Sequence, residues 1–198
     1  ASNNTAVGMQ ALTANTTAES NTGVGKNALA TTTTGAENSA LGHNTLLSNT
    51  TGAQNTGIGM SALKFNTTAS QNTGVGYQAL TANTTGAANT AIGYQSLDTN
   101  TTAANNTAVG WRSLYLNTTG TQNTALGVGS LKANTTASFN TAVGYNAGVA
   151  NTTGTKNAFF GSYTGDANTD GDNNTAIGQA ALSANTTGDN NTALGNDA

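Results

Sequence analysis

Asp166, Asn168 and Asp170 stand at alternate positions ahead of Gly171, and oxygen side chains in that spacing open a calcium-binding loop. Asp172 and Asp189 occupy the same position in successive copies of a repeat, so coils that stack copy on copy bring two like charges together, which a cation relieves. The position where a helix–loop–helix calcium site carries its bidentate Glu is Ile177, so the loop is incomplete on its own terms. Calcium is the one cofactor the residues suggest. A second set could carry sugar. Asn15, Asn49, Asn66, Asn83, Asn100, Asn117, Asn134, Asn151 and Asn185 each open an Asn-Thr-Thr triplet, an acceptor pattern for N-linked glycan. Thr16, Thr17 and their equivalents offer hydroxyls for O-linked sugar instead. A third set, Tyr77, Tyr94, Trp111 and Tyr145, recurs at one repeat position, where stacked rings serve a sugar ligand or a lateral chain contact. His43 is the only histidine, and its repeat position elsewhere holds Met, Lys, Tyr or Gln, which marks it as a surface variant.

No nucleophile–base pair and no acid/base pair assembles from these residues, and phosphate-loop, HExxH and GxSxG patterns are absent, so no enzyme activity is expected. Only 7% of residues are charged and the net charge is −3, with Lys26, Lys64, Arg112, Lys132 and Lys156 scattered. That gives nucleic acid no electrostatic footprint. No apolar run approaches the roughly 18 residues of a membrane span. Neither an initiating Met nor a leader is visible, and the lack of cysteine does not fix a compartment.

What positions all of these groups is the repeat. A glycine falls at Gly8, Gly25, Gly42 and so on to Gly195, always at the same interval of seventeen, with Asn four places before it in every copy. The unit reads N-T-[AG]-[VIL]-G-x-x-A-L-x-x-N-T-T-[AG]-x-x. Seventeen residues are too few for a helix-pair repeat, and Thr, Asn and Gly are poor helix formers. An all-β fold follows: a parallel β-solenoid with one coil per seventeen-residue repeat and about twelve coils, on the order of 57 Å long at the usual strand spacing.

Two apolar columns are expected to form the core. One runs Val7, Val24, Leu41, Ile58, Val75, Ile92, Val109, Leu126, Val143, Phe160, Ile177 and Leu194; the other runs from Leu12 to Leu182 and is interrupted at Gly148 and Gly165. The column glycines suit a corner. The Asn-Thr-Thr segment suits a second one, and its asparagines, like those before the strand, can form amide ladders from coil to coil. Residues 1–198 read as a single uncapped solenoid of twelve repeats. The period is intact from Ala1 to Ala198, so the expectation is a window of a longer array, or ends covered by further copies.

The NTAVG, NTGVG and NSALG steps, each followed by x-x-A-L, resemble the repeats in the heads of trimeric autotransporter adhesins. They are also similar to the NTAVGYQAL…NTTG arrays of tail-fibre-domain proteins from phages and bacteria. The resemblance covers the whole chain and implies a left-handed roll, three chains side by side, and an extracellular, cell-surface or virion-surface location. The expected function is structural: the shaft of a fibre, an adhesin stalk or a self-assembling filament, with a glycan coat on its corners. Its partners are then further copies of itself, end to end or as a lateral homotrimer, together with glycan. An ice-binding or carbohydrate-binding solenoid is the alternative. For ice, Thr16 and Thr17 are adjacent and point to opposite faces, whereas a flat hydroxyl array wants positions i and i+2.

Overall fold

The computed structural model describes residues 2–198. Twelve three-residue strands run from β1 (Thr5–Val7), β2 (Thr22–Val24) and β3 (Ser39–Leu41) to β12 (Thr192–Leu194), one per repeat. They form a single parallel sheet in strict sequence order. Every pairing advances the register by one repeat, as in Thr5↔Thr22 and Val7↔Val24 between the first two strands. The chain is therefore an all-β solenoid of about eleven turns, one repeat of seventeen to each coil, as the period dictates. The strict spacing is necessary because each backbone N–H reaches a fixed repeat position in the neighbouring coil, as Thr22 N–H reaches the Asn38 carbonyl and Gly25 N–H the Val7 carbonyl.

The strand forms one wall of the coil. Its side chains alternate, and the middle one points inward. That middle residue is Ala or Gly in eleven of the twelve strands, and Ala91, Ala108 and Ala125 are wholly buried. On the opposite wall the leucines Leu29, Leu46, Leu63, Leu80, Leu97, Leu114 and Leu131 are wholly buried and fill the space between the walls.

The core therefore differs from the two-column expectation. The column from Val7 to Leu194 faces out: Val7 is 56% exposed, Leu41 51% and Ile58 41%, while Val24, Val75, Val109 and Val143 are half-buried. Space decides the side. A Cβ placed on Gly74 already meets Leu63 Cγ at 3.1 Å, so the cross-section holds one leucine and one methyl but not a leucine and a valine. A strand of period two then sends Thr and Val outward together.

The two leucine gaps have a local compensation. Phe159 stands where other coils carry inward Ala or Gly, and it is wholly buried. A Cβ on Gly148 would meet Phe159 Cδ2 at 2.8 Å, and one on Gly165 would meet Cε1 at 2.5 Å. One ring thus occupies the room that two leucine side chains give up.

The remaining walls turn sharply rather than extend. Three non-glycine columns take left-handed backbone, for instance Gln71 (φ 63°), Gln78 (φ 55°) and Leu80 (φ 54°). For an L-residue this costs roughly 1–2 kcal/mol at each position. Cross-coil bonds such as Leu80 N–H to the Ser96 carbonyl (3.0 Å) and Gln78 N–H to the Met60 carbonyl (3.0 Å) hold it in place. The column glycine is stricter: Gly76 has φ 131°, and a Cβ there would lie 2.5 Å from the Gly93 carbonyl oxygen. Among the described residues no helix is long and apolar enough to cross a membrane.

Candidate functional site

Two buried amide ladders run along the solenoid, the first through every coil and the second with a break at Thr32. In the first, the asparagine before each strand is the unit. Asn55 Nδ2 donates to the Ala69 carbonyl at 2.9 Å, and Asn55 Oδ1 accepts the Asn72 backbone N–H at 3.0 Å. In the second, the asparagine of the Asn-Thr-Thr corner is the unit. Asn66 Nδ2 donates to Asn49 Oδ1 and to the Ala69 carbonyl, both at 2.9 Å. The two ladders share one acceptor per coil, the carbonyl of the small residue after Asn-Thr-Thr. Gly86 shows the same sharing, accepting Asn72 Nδ2 and Asn83 Nδ2 at 2.9 Å each. This shared carbonyl was not foreseen in the sequence, although the fixed Asn-Thr-Thr-[AG]-x-x-Asn spacing encodes it.

The ladders take up the asparagines of the N-linked expectation. Asn49, Asn66, Asn83, Asn100, Asn117, Asn134 and Asn151 are wholly buried, and each spends its Nδ2 on hydrogen bonds inside the coil. Asn15 and Asn185 are half-buried, with their Nδ2 groups bonded to the Ala18 and Gly188 carbonyls. A sugar on Nδ2 needs an amide that this fold has already used. The two threonines divide the corner differently. Thr16 Oγ1 donates to the Thr33 carbonyl at 3.2 Å, and the same bond recurs up the column, as from Thr67 to the Thr84 carbonyl at 3.0 Å. Thr17 and its equivalents Thr51, Thr68, Thr85 and Thr102 stay exposed.

Of the residues of the expected calcium loop, Asp166, Asn168, Asp170, Asp172 and Asp189, the last four are engaged in hydrogen bonds of the coil. Asn168 is buried in the corner ladder, donating to Asn151 Oδ1 (2.9 Å) and the Gly171 carbonyl (3.0 Å) and accepting from Asn185 (2.9 Å). Asp172 Oδ1 accepts the Thr155 backbone N–H at 2.6 Å, and Asp189 Oδ1 accepts that of Asp172 at 2.7 Å. Ser70 and Ser138 do the same job in the same column with a hydroxyl, at 3.0 and 2.9 Å. The aspartates are corner acceptors for the coil below, and their stacked charge is met by N–H groups. Asp170 accepts the neighbouring Thr169 hydroxyl at 3.1 Å. Among the described residues no three acidic, His or Cys side chains converge on a point.

The aromatic column lies on the surface, as the period requires, but its ring faces are partly occupied. Tyr77 and Tyr94 stack on each other with centroids 5.2 Å apart and planes 13° apart. Arg112 lies over Trp111 at 4.7 Å and over Tyr115 at 5.0 Å, and the Lys132 ammonium is 6.0 Å from the Trp111 ring. Tyr145 meets Tyr163 edge-on at 5.2 Å. His43 is exposed beside Met60 in the same column.

Near this cluster, burial raises the Asp98 carboxyl above the usual carboxylate range, and a hydrogen bond from Thr81 and the Arg112 charge pull it back only in part. Further inside, Ser96, Ser113 and Ser130 replace alanine beside the core and bond the Ala108, Ala125 and Ala142 carbonyls at 2.8 to 2.9 Å. In comparison with family models, curated proteins and solved structures, the chain matches none.

Proposed function

We propose that the chain is a structural repeat protein, the shaft of an extracellular fibre or surface filament. The observation that carries this reading is the continuity of the cross-coil bonding. Successive coils are held by the strand ladder, by two asparagine ladders, the corner one broken only at Thr32, and by the Thr16-type hydroxyl bond, and the last three lie on walls other than the strand. Bending or stretching such a rod strains all of these bonds at once, which suits an element that supplies length and stiffness. The repeat's resemblance to adhesin heads and tail-fibre arrays supports a location outside the cell or on a virion. A glycan coat, where present, belongs on the exposed second threonine of each corner, Thr17 and its equivalents, as O-linked sugar.

The test is electron microscopy and fibre diffraction of concentrated chain. Rods that join end to end, well beyond the ~57 Å of one chain, with a meridional reflection near 4.8 Å are the expected result. Isolated rods of single-chain length at every concentration and salt would sink the shaft reading.

A further inference from the structure

The strand's outer face is the least explained surface of the molecule. Three columns compose it: the threonines that open ten of the twelve strands, with Ser39 and Ala158 in the other two, the apolar column from Val7 to Leu194, and the column of Met9, Tyr77, Tyr94 and Trp111 just past the glycine. Of the chain's 13 charged side chains, five basic and eight acidic, Lys26 alone falls in these columns. The rest belong to other columns, such as Glu37, Lys64, Asp98 and Asp172, and of these only Arg112 and Lys132 reach the face, over the Trp111 ring. Depletion of charge with enrichment of Met, Tyr and Trp is the composition of an interface centre rather than of free surface.

From this we infer that the sheet face is the docking surface for a second copy of the same chain, sheet against sheet. Area is of the order a stable pair needs. Twelve three-residue strands, ~4.8 Å apart and rising ~3.3 Å per residue, make a flat strip of roughly 570 Å², and the exposed column just past the glycine widens it. A standard specific interface buries about 800 Å² on each partner, and isolated apolar patches on monomers rarely exceed about 600 Å². Periodicity names the occupant. Bulk recurs on this strip once per coil along its whole length, and a copy of this chain is commensurate with it at every coil. An isologous pair also closes the strip completely, with one strip covering the other. Side chains of unequal bulk in the apolar column, Val75 beside Ile92 and Val143 beside Phe160, suit interdigitation with a partner better than a flat contact with a crystal surface such as ice.

The inference deepens the shaft reading and differs from the three-chain bundle that the resemblance implies. It is tested by sedimentation equilibrium of the chain and of Ile92→Lys and Leu126→Lys, with Thr102→Lys on an exposed corner as the charge control. The parent and the control are expected at twice the 19.5 kDa chain mass, or two chains per ~57 Å of any longer fibre. The two face variants are expected at the single-chain mass with unchanged far-UV circular dichroism. A monomeric parent at high concentration would overturn the pairing, the more so if it showed thermal hysteresis and so gave the face to ice. Three chains per cross-section, or association indifferent to both face lysines, would overturn it as well. Long threads one chain thick would leave the shaft standing without the pair; pairs that never exceed one chain's length would leave the pair without the shaft.

Discussion

Replacing Asn100 by alanine isolates the contribution of one rung of the corner ladder. Asn100 Nδ2 donates to Asn83 Oδ1 at 2.9 Å and to the Ala103 carbonyl at 3.0 Å, and its Oδ1 accepts Asn117 Nδ2 at 3.0 Å. Two of the three partners keep another bond. The Ala103 carbonyl still receives Asn89 Nδ2, and Asn117 Nδ2 still reaches the Gly120 carbonyl. Asn83 Oδ1 loses the partner shown for it and stays buried. Three bonds at about 1 kcal/mol each, plus one stranded acceptor at about 1–3 kcal/mol, give a cost of roughly 4–6 kcal/mol.

Denaturant unfolding followed by circular dichroism reads this against Thr102→Ala, an exposed corner change expected to stay within about 0.5 kcal/mol. Asn83 and Asn100 share one bond, so the double variant is expected to cost about 1–2 kcal/mol less than the sum of the singles. The sequence supplies the reverse experiment. Thr32 interrupts this ladder, leaving Asn15 Oδ1 buried with no partner and Asn49 Nδ2 at 3.5 Å from the Thr32 hydroxyl. Thr32→Asn is expected to stabilise the fold by about 1 kcal/mol. An Asn100→Ala cost no larger than that of Thr102→Ala, or strict additivity with Asn83→Ala, would refute the ladder as a source of stability.

Phe159→Ala is expected to cost about 3–5 kcal/mol by opening a cavity. Adding Gly148→Leu should recover much of that loss, whereas Gly148→Leu alone should destabilise because it meets Phe159; a well-tolerated single Gly148→Leu would show that the ring does not stand in for the missing leucines. Asp98 binds its proton more tightly folded than unfolded, so its contribution is favourable below the ordinary carboxylate range and is lost as pH rises through its raised value. Asp98→Asn should therefore raise Tm at neutral pH and leave it unchanged in acid, and a gap that persisted in acid would rule out ionisation as its source.

The period made the coil length, the strand order, the leucine column and both asparagine ladders legible, since a column that recurs once per repeat, without insertion or deletion, must stack on itself. The side of each strand was not legible. Thr-Ala-Val offers two outward residues and one inward residue under one register and the reverse under the other, and apolarity favours burying the valine. The width of the coil overrules it, and width is a property of the assembled walls rather than of any one residue. The corner asparagines were ambiguous for a related reason. Asn-Thr-Thr reads as an exposed turn, and only the Ala69 or Gly86 carbonyl, reached from two ladders at once, shows why the amide must turn inward. Left-handed backbone at Leu80 and Gln78 ran against residue preference and was fixed by bonds to neighbouring coils.

Phe159 has a consequence for how the chain finds its alignment. With nearly identical coils, a segment that loops out one repeat and slips by one full period re-forms almost every ladder it breaks. Self-similarity therefore leaves folding with a family of near-degenerate misalignments. Phe159 and its two flanking glycines break that degeneracy. Slipped by one coil toward either end, the ring overlaps a leucine on one side and leaves an unfilled glycine gap on the other. One aromatic ring among repeated methyls thus acts as a phase mark, telling each coil which of its twelve possible addresses it occupies.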